Sequence, residues 1–223
     1  MISIKNVFKR YKSGKIFVKA LDDISLNIEK GDFVFFSGPS GSGKSTLLNI
    51  IGCLTRVTSG SYILEDKKVS HWPDHFLSPL RRERFGFIFQ QFNLMSGYSA
   101  WENIALPLIP MGISQKERRK KALSVLESLN LTTRADFMAQ ELSGGQQQLV
   151  AIGRALVNNP DIILADEPFS NIDARHVENF EKILGGLKNQ GKTIIIASHF
   201  QEPITRLVDK TFYFKNGIIS SKG

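Results

Sequence analysis

The sequence predicts an α/β protein: a mainly parallel sheet covered by helices, with antiparallel β strands near the N-terminus and an inserted α-helical subdomain. Three observations lead there. The runs Phe33 to Ser37, Ile162 to Ala165 and Thr193 to Ala197 are almost wholly apolar, as in strands buried on both faces of a sheet. Val177, Phe180, Ile183, Leu184 and Leu187 recur at helical spacing between the last two runs, with Asp173 before them and Gly191 after them as start and stop signals. The stretch from Phe92 to Asn159 carries helical patterns and no convincing strand.

The elements follow in order along the chain. Ile2 to Val7 and Ile24 to Ile28 read as early strands, and Phe33 to Ser37 as a buried one stopped by Gly38. In the middle, a helix beginning near Trp101 should end or bend at Pro107. Lys116, Arg118, Arg119, Lys120 and Lys121 form the polar face of a helix whose apolar face is Ala122, Val125, Leu126 and Leu129. The 223 residues are read as a single domain, its core at 1–91 and 160–223 and its lobe at 92–159.

With 42% hydrophobic and 22% charged residues, the composition excludes disorder and collagen-like repetition. The longest stretch without charge, Phe85 to Trp101, is broken by Gln90, Gln91 and Asn93, so no membrane span is expected. No cleavable leader is apparent, and the expected location is cytoplasmic. The net charge of +8 is spread along the chain, which reads as a solvated basic surface rather than a nucleic-acid groove. Cys53, alone of its type and set in an apolar run, reads as a buried core thiol.

The segment Gly38-Pro39-Ser40-Gly41-Ser42-Gly43-Lys44-Ser45-Thr46 joins a buried strand to the helical run beginning at Leu47. That is the context of a phosphate-binding P-loop, and the expected core is therefore of the P-loop NTPase, RecA-like type. Glycines let successive amide N–H groups converge on phosphate oxygens, and the helix N-terminus adds positive potential. Lys44 would bring a point charge to the β and γ phosphates of ATP, and Ser45 a hydroxyl to Mg²⁺. Asp166 and Glu167 end a buried strand, where α/β sheets bind ligands. Asp166 is placed to hold Mg²⁺ through water, and Glu167 to polarise the water attacking the γ phosphate. Leu142-Ser143-Gly144-Gly145-Gln146 opens a second glycine-rich helix, with Leu149, Ile152 and Leu156 as its apolar face. A second anion-binding helix start beside one P-loop suggests service to a nucleotide held by another copy, hence a homodimer.

Leu142 to Gln146 resembles the signature of the ATP-binding cassette proteins, and with the P-loop, the acidic strand end and a downstream histidine the resemblance covers essentially the whole chain. It implies that Tyr11 stacks on adenine, with Phe8 and Phe17 as alternatives in another register. Gln90 resembles the glutamine that senses Mg²⁺ and attacking water, with Gln91 competing for the role, and His199 the histidine at the γ phosphate. Ser170-Asn171-Ile172-Asp173 resembles the loop touching the opposite nucleotide site.

Gly86 to Leu94, Trp101 to Leu108 and Ala155 to Pro160 resemble the lipoprotein-releasing and macrolide-exporting subgroup of that family. Phe169, Ser170, Leu149 and Phe200 depart from its usual residues, which bears on rate and coupling between sites but leaves phosphate and metal ligation intact. The resemblance implies an ATPase held peripherally at the inner membrane by integral permease subunits, which would receive the work through the cleft near Gln90 to Tyr98. The alternative function is a nucleotide-gated module transmitting force to a membrane partner that controls cell-wall hydrolysis or signalling.

Overall fold

The computed structural model describes residues 1–169, 174–199 and 204–220. Among the described residues, ten strands form two sheets. The larger is built on β3 (Phe33–Ser37), β7 (Ile162–Asp166) and β8 (Thr193–Ala197), joined by β6 (Phe85–Ile88), β9 (Lys210–Lys215) and β10 (Ile218–Ser220) in the order β10-β9-β3-β8-β7-β6. Every pairing in it is parallel except that of β9 with β10.

The apolar runs are continuous because two cores share these strands. Phe33, Phe35, Ile163, Ala165, Ile194 and Ile196 face one core, while Val34, Phe36, Ile162, Leu164, Ile195 and Ala197 face the other. A strand residue points to the face opposite its neighbour, so a strand with no watered face is apolar along most of its length.

One core is closed by helices α3 (Ala100–Ala105), α4 (Gln115–Ser128), α5 (Gly144–Leu156) and α6 (Ala174–Asn189). The other is closed by α1 (Lys44–Ile51), α2 (Asp74–Arg84) and the second sheet. That sheet is antiparallel, in the order β2-β1-β4-β5, from β1 (Ile2–Ser13), β2 (Ile16–Ile28), β4 (Ser59–Leu64) and β5 (Lys67–Lys68).

Some sequence expectations are met and others need correction. β1 and β2 run far beyond Ile2 to Val7 and Ile24 to Ile28, because their outer ends form a solvated hairpin lacking apolar alternation. Irregularities in the β1 register, with Asn6 at φ 46°, break the alternation further. Arg81, Arg82 and Arg84 form the last turn of α2. Arg81 donates to the Cys53 carbonyl at 3.0 Å, and Arg84 bridges Asp161 and Glu65. The helix near Trp101 starts at Ala100, with a Ser99–Glu102 capping box, and at Leu106 tightens into a 3-10 turn carrying Pro107 and Pro110. The proposed start signal of α6, Asp173, lies outside the described residues. Cys53 is buried as expected, and desolvation pushes its thiol up to about 11, which keeps it protonated and inert.

Phe35 lies fully buried at the centre of the parallel sheet. Phe35→Ala is expected to destabilise the fold by about 3–5 kcal/mol through lost burial and a residual cavity. The expected readout is a lower urea midpoint with an unchanged slope.

Candidate active site

The carboxyl ends of β3, β7 and β8 open onto one cavity of about 300 Å³, lined by Ala20, the loop Ser40 to Thr46, Gln90, Glu167 and His199. Gly43 caps α1 at φ 108° with no side-chain cap, leaving the helix N-terminus to a ligand. A Cβ at Gly43 would stand 2.6 Å from the Ala20 carbonyl oxygen, and one at Gly38 2.3 Å from that of Phe214. The loop is thus pressed against the second sheet on one side and β9 on the other. The turn between β9 and β10 fastens it further: the Gly217 N–H donates to the Ser42 carbonyl at 3.0 Å, and the Asp22 N–H to the Gly217 carbonyl at 2.8 Å.

Lys44 is buried, its Nζ donating to the carbonyls of Gly38 (2.7 Å) and Pro39 (3.0 Å), with Glu167 Oε1 at 4.0 Å. Desolvation lowers its pKa, partly offset by the charges of Glu167 and Asp166. Ser42 Oγ is buried without a hydrogen-bond partner, although it lines the cavity. An orphaned hydroxyl is costly to keep, and an anion's oxygen is a fitting partner for it. Pro39 belongs to the same loop and has no N–H to donate; its carbonyl accepts from Lys44 Nζ and from the Ser42 N–H.

Ser45 Oγ donates to Asp166 Oδ1 at 2.8 Å. Burial raises the Asp166 pKa most strongly, and the charge of Glu167 adds to it against the Ser45 hydrogen bond and Lys44. Glu167 stands at φ 44°, its N–H donating to the Ala197 carbonyl at 2.7 Å. Its carboxylate accepts from the Ser198 hydroxyl at 2.7 Å and the His199 N–H at 3.2 Å, and His199 Nδ1 lies 2.9 Å from Oε2. β7 and β8 are adjacent and parallel, so their ends bring these residues together.

Other expected residues lie elsewhere. Tyr11 is exposed on β1, with Lys9 Nζ 4.7 Å above its ring, and is not among the residues lining this cavity. Leu142 is buried, Ser143 and Gly144 are exposed, and Gly145 is buried. Ser143 caps α5, its Oγ accepting from the Gln146 N–H at 3.4 Å while Gln146 Oε1 accepts from the Ser143 N–H at 3.1 Å. None of these five residues lines the cavity of their own chain. Ser170, Asn171, Ile172, Asp173 and Phe200 lie outside the described residues. Phe169, one of the departures, is buried against Phe180 with ring centroids 5.5 Å apart, and Leu149 packs half-buried on the same core.

Two residues escaped the sequence reading. Ser198 belongs with Glu167, signalled only by its place at the end of a buried strand. Gln148, on α5, is buried and donates to the Pro168 carbonyl at 3.3 Å, tying that helix to the residue after Glu167. Its signal was an amide on the buried face of α5, one turn before Ile152.

A family model described as ABC transporter matches residues 21–170. The chain belongs to the ABC transporter family. Among its relatives, the uncharacterized ABC transporter ATP-binding protein MJ0796 of Methanocaldococcus jannaschii is 46% identical over 97% of this chain and 94% of its own length. The macrolide export ATP-binding/permease protein MacB of Mannheimia succiniciproducens is 47% identical over 98% of this chain but only 34% of its own length. A solved dimeric post-hydrolysis structure of the MJ0796 cassette, bound to ADP and Pi, covers 100% of this chain and 98% of its own at 43% identity and a TM-score of 0.93. The cassette fold, with its P-loop core, mixed strands and helical subdomain, is thereby the fold of this ABC ATPase domain. No helix among the described residues is long and apolar enough to cross a membrane.

Two outcomes follow from this geometry. Because the folded pKa of Asp166 lies above its unfolded value, the ionised carboxylate costs stability once pH rises past the ordinary carboxylate range. Asp166→Asn is therefore expected to raise the melting temperature of the nucleotide-free cassette at neutral pH, and to narrow its gap from the unaltered chain as pH falls towards that range. Gln148→Leu leaves the buried Pro168 carbonyl without its amide donor, and is expected to cost about 1–3 kcal/mol in chemical denaturation.

Proposed function

We propose that this cassette is the ATP-hydrolysing subunit of a membrane export system, working as a homodimer in which each nucleotide is closed between the P-loop of one copy and the Leu142 to Gln146 segment of the other. The observation that carries the reading is the cavity itself. Lys44, the orphaned Ser42 hydroxyl and an uncapped helix N-terminus converge there, while the second glycine-rich helix start stays outside it. A single chain supplies one half of the closure.

In this reading Gly38 to Thr46 cradle the phosphates and Lys44 neutralises the β and γ oxygens. Tyr11 receives the adenine, on a strand whose neighbour β2 carries the cavity residue Ala20. Ser45 and Asp166 are hard oxygen donors 2.8 Å apart, suited to Mg²⁺ with Gln90 at the rim. Among the described residues no cluster of three His, Cys, Asp or Glu suits a metal, so most ligands would come from phosphate and water. Mg²⁺, when bound, offsets the charge developing on the phosphate oxygens. Glu167 exchanges its bonds to Ser198 and His199 for the attacking water, freeing His199 for the γ phosphate. Ser170 to Asp173 would touch the opposite site.

The membrane partner is expected at the cleft near Gln90 to Tyr98 and at the adjoining groove of about 310 Å³ between β6, α2 and the helical lobe, lined by Leu54, Phe87, Phe89, Pro107 and Pro110. Arg154 adjoins it and holds the carbonyls of Phe92 and Asn93, so a load on the groove reaches the loop after Gln90. The work of closure is delivered there to permease subunits, which hold the cassette at the inner membrane. Lipoprotein release is the cargo class favoured by Gly86 to Leu94 and Trp101 to Leu108. The macrolide export named for MacB relatives is the neighbouring possibility.

Glu167→Gln is expected to retain ATP binding, accumulate an ATP-bound dimer on size-exclusion chromatography and lower kcat by about 10²–10⁴-fold. Turnover at the unaltered rate would overturn the base assignment.

A further inference from the structure

The outer end of the β1–β2 hairpin carries a feature that nucleotide chemistry does not use. Tyr11 pairs with Val18, Lys12 with Phe17 and Ser13 with Ile16, closing the tip around Gly14 and Lys15. Directly opposed residues share a face and neighbours alternate. Tyr11, Val18 and Ile16 thus belong to one face, and Arg10, Lys12, Phe17 and Lys19 to the other. Phe17 is separated in this way from the face on which Tyr11 would meet adenine.

Ile16 and Phe17 are 70% and 66% exposed, the two most exposed large apolar side chains among the described residues. From Lys9 to Lys19 the sequence holds the cations Lys9, Arg10, Lys12, Lys15 and Lys19 and no carboxylate. Lys9 is spent on the Arg56 carbonyl and the Tyr11 ring, and Lys19 pairs with Asp22. Arg10, Lys12 and Lys15 are exposed and meet no carboxylate among the described residues.

An aromatic and a branched aliphatic side chain at the point of a finger, ringed by unneutralised cations, match the chemistry of an anionic lipid surface. The apolar ends enter the headgroup layer, and the cations stay at phosphate depth. The tip is only a few residues wide, far below the area that a stable protein interface requires. Lipid contact gains per inserted residue and per charge, without that threshold.

We propose that the hairpin tip is a membrane-contact element, inserting Ile16 and Phe17 into the headgroup layer of an anionic bilayer while Arg10, Lys12 and Lys15 meet lipid phosphates. The test is co-sedimentation of the purified chain, free of membrane partners, with vesicles of phosphatidylcholine alone or mixed with phosphatidylglycerol. Binding is expected on the mixed vesicles only, and to weaken as salt is raised. Phe17→Ser should lower the partition about tenfold, and Lys15→Glu at least about fivefold. A matching charge reversal on α4, Lys116→Glu, should leave it nearly unchanged. Equal losses from the α4 and tip variants would assign the attraction to the overall +8 charge and overturn the proposal. Binding insensitive to Phe17→Ser, or tighter capture by single-stranded RNA than by the vesicles, would overturn it as well.

Discussion

Lys44 is buried with its ammonium turned into its own loop, donating to the carbonyls of Gly38 and Pro39, and the rest of the site is arranged around that contact. A buried cation needs compensation. Two carbonyls supply part of it, and the carboxylate of Glu167, 4.0 Å away, supplies more. The same contact curls the backbone from Gly38 to Gly43 into a ring open at the head of α1. In the proposed reading the loop is shaped before an anion arrives, which reduces the ordering cost of binding.

The acidic side of the site answers to the same constraint. Asp166 and Glu167 leave one strand end on successive residues, so they point to different tasks: Asp166 to the Ser45 hydroxyl, Glu167 to Lys44, Ser198 and His199. The positive φ of Glu167 makes this divergence possible, and the hydrogen bond from its own N–H to Ala197 holds it in place. β7 and β8 thus act as one rigid mount for chemistry spread over distant parts of the chain.

How much of this was legible varied with the physics of each segment. Strands with two buried faces announce themselves as apolar runs, which is why β3, β7 and β8 were readable at nearly their full length. β4 and β9 were not, because Ser59-Gly60-Ser61 and Lys210-Thr211 put polar residues on strands at the edges of a core. α2 was hidden by Pro79 within it and by a largely charged last turn, although Leu77 anchors it. In the candidate site, the glycine-rich loop and the acid pair stood out as motifs because the proposed chemistry asks for those residue types at that spacing. Ser198 and Gln148 were not, since each acts through one contact set by tertiary packing. Sequence spacing places residues along an element and says nothing of which carbonyl lies across from them.

The turn between β9 and β10 donates to the carbonyl of Ser42, and Phe214 walls off Gly38. Both belong to the far end of the described chain, while the loop they brace lies near its beginning. During synthesis the glycine-rich segment leaves the ribosome long before its brace has been made. In the proposed reading, a nascent chain cannot grip nucleotide in the native way until β9 and β10 have emerged, which separates folding in time from fuel consumption.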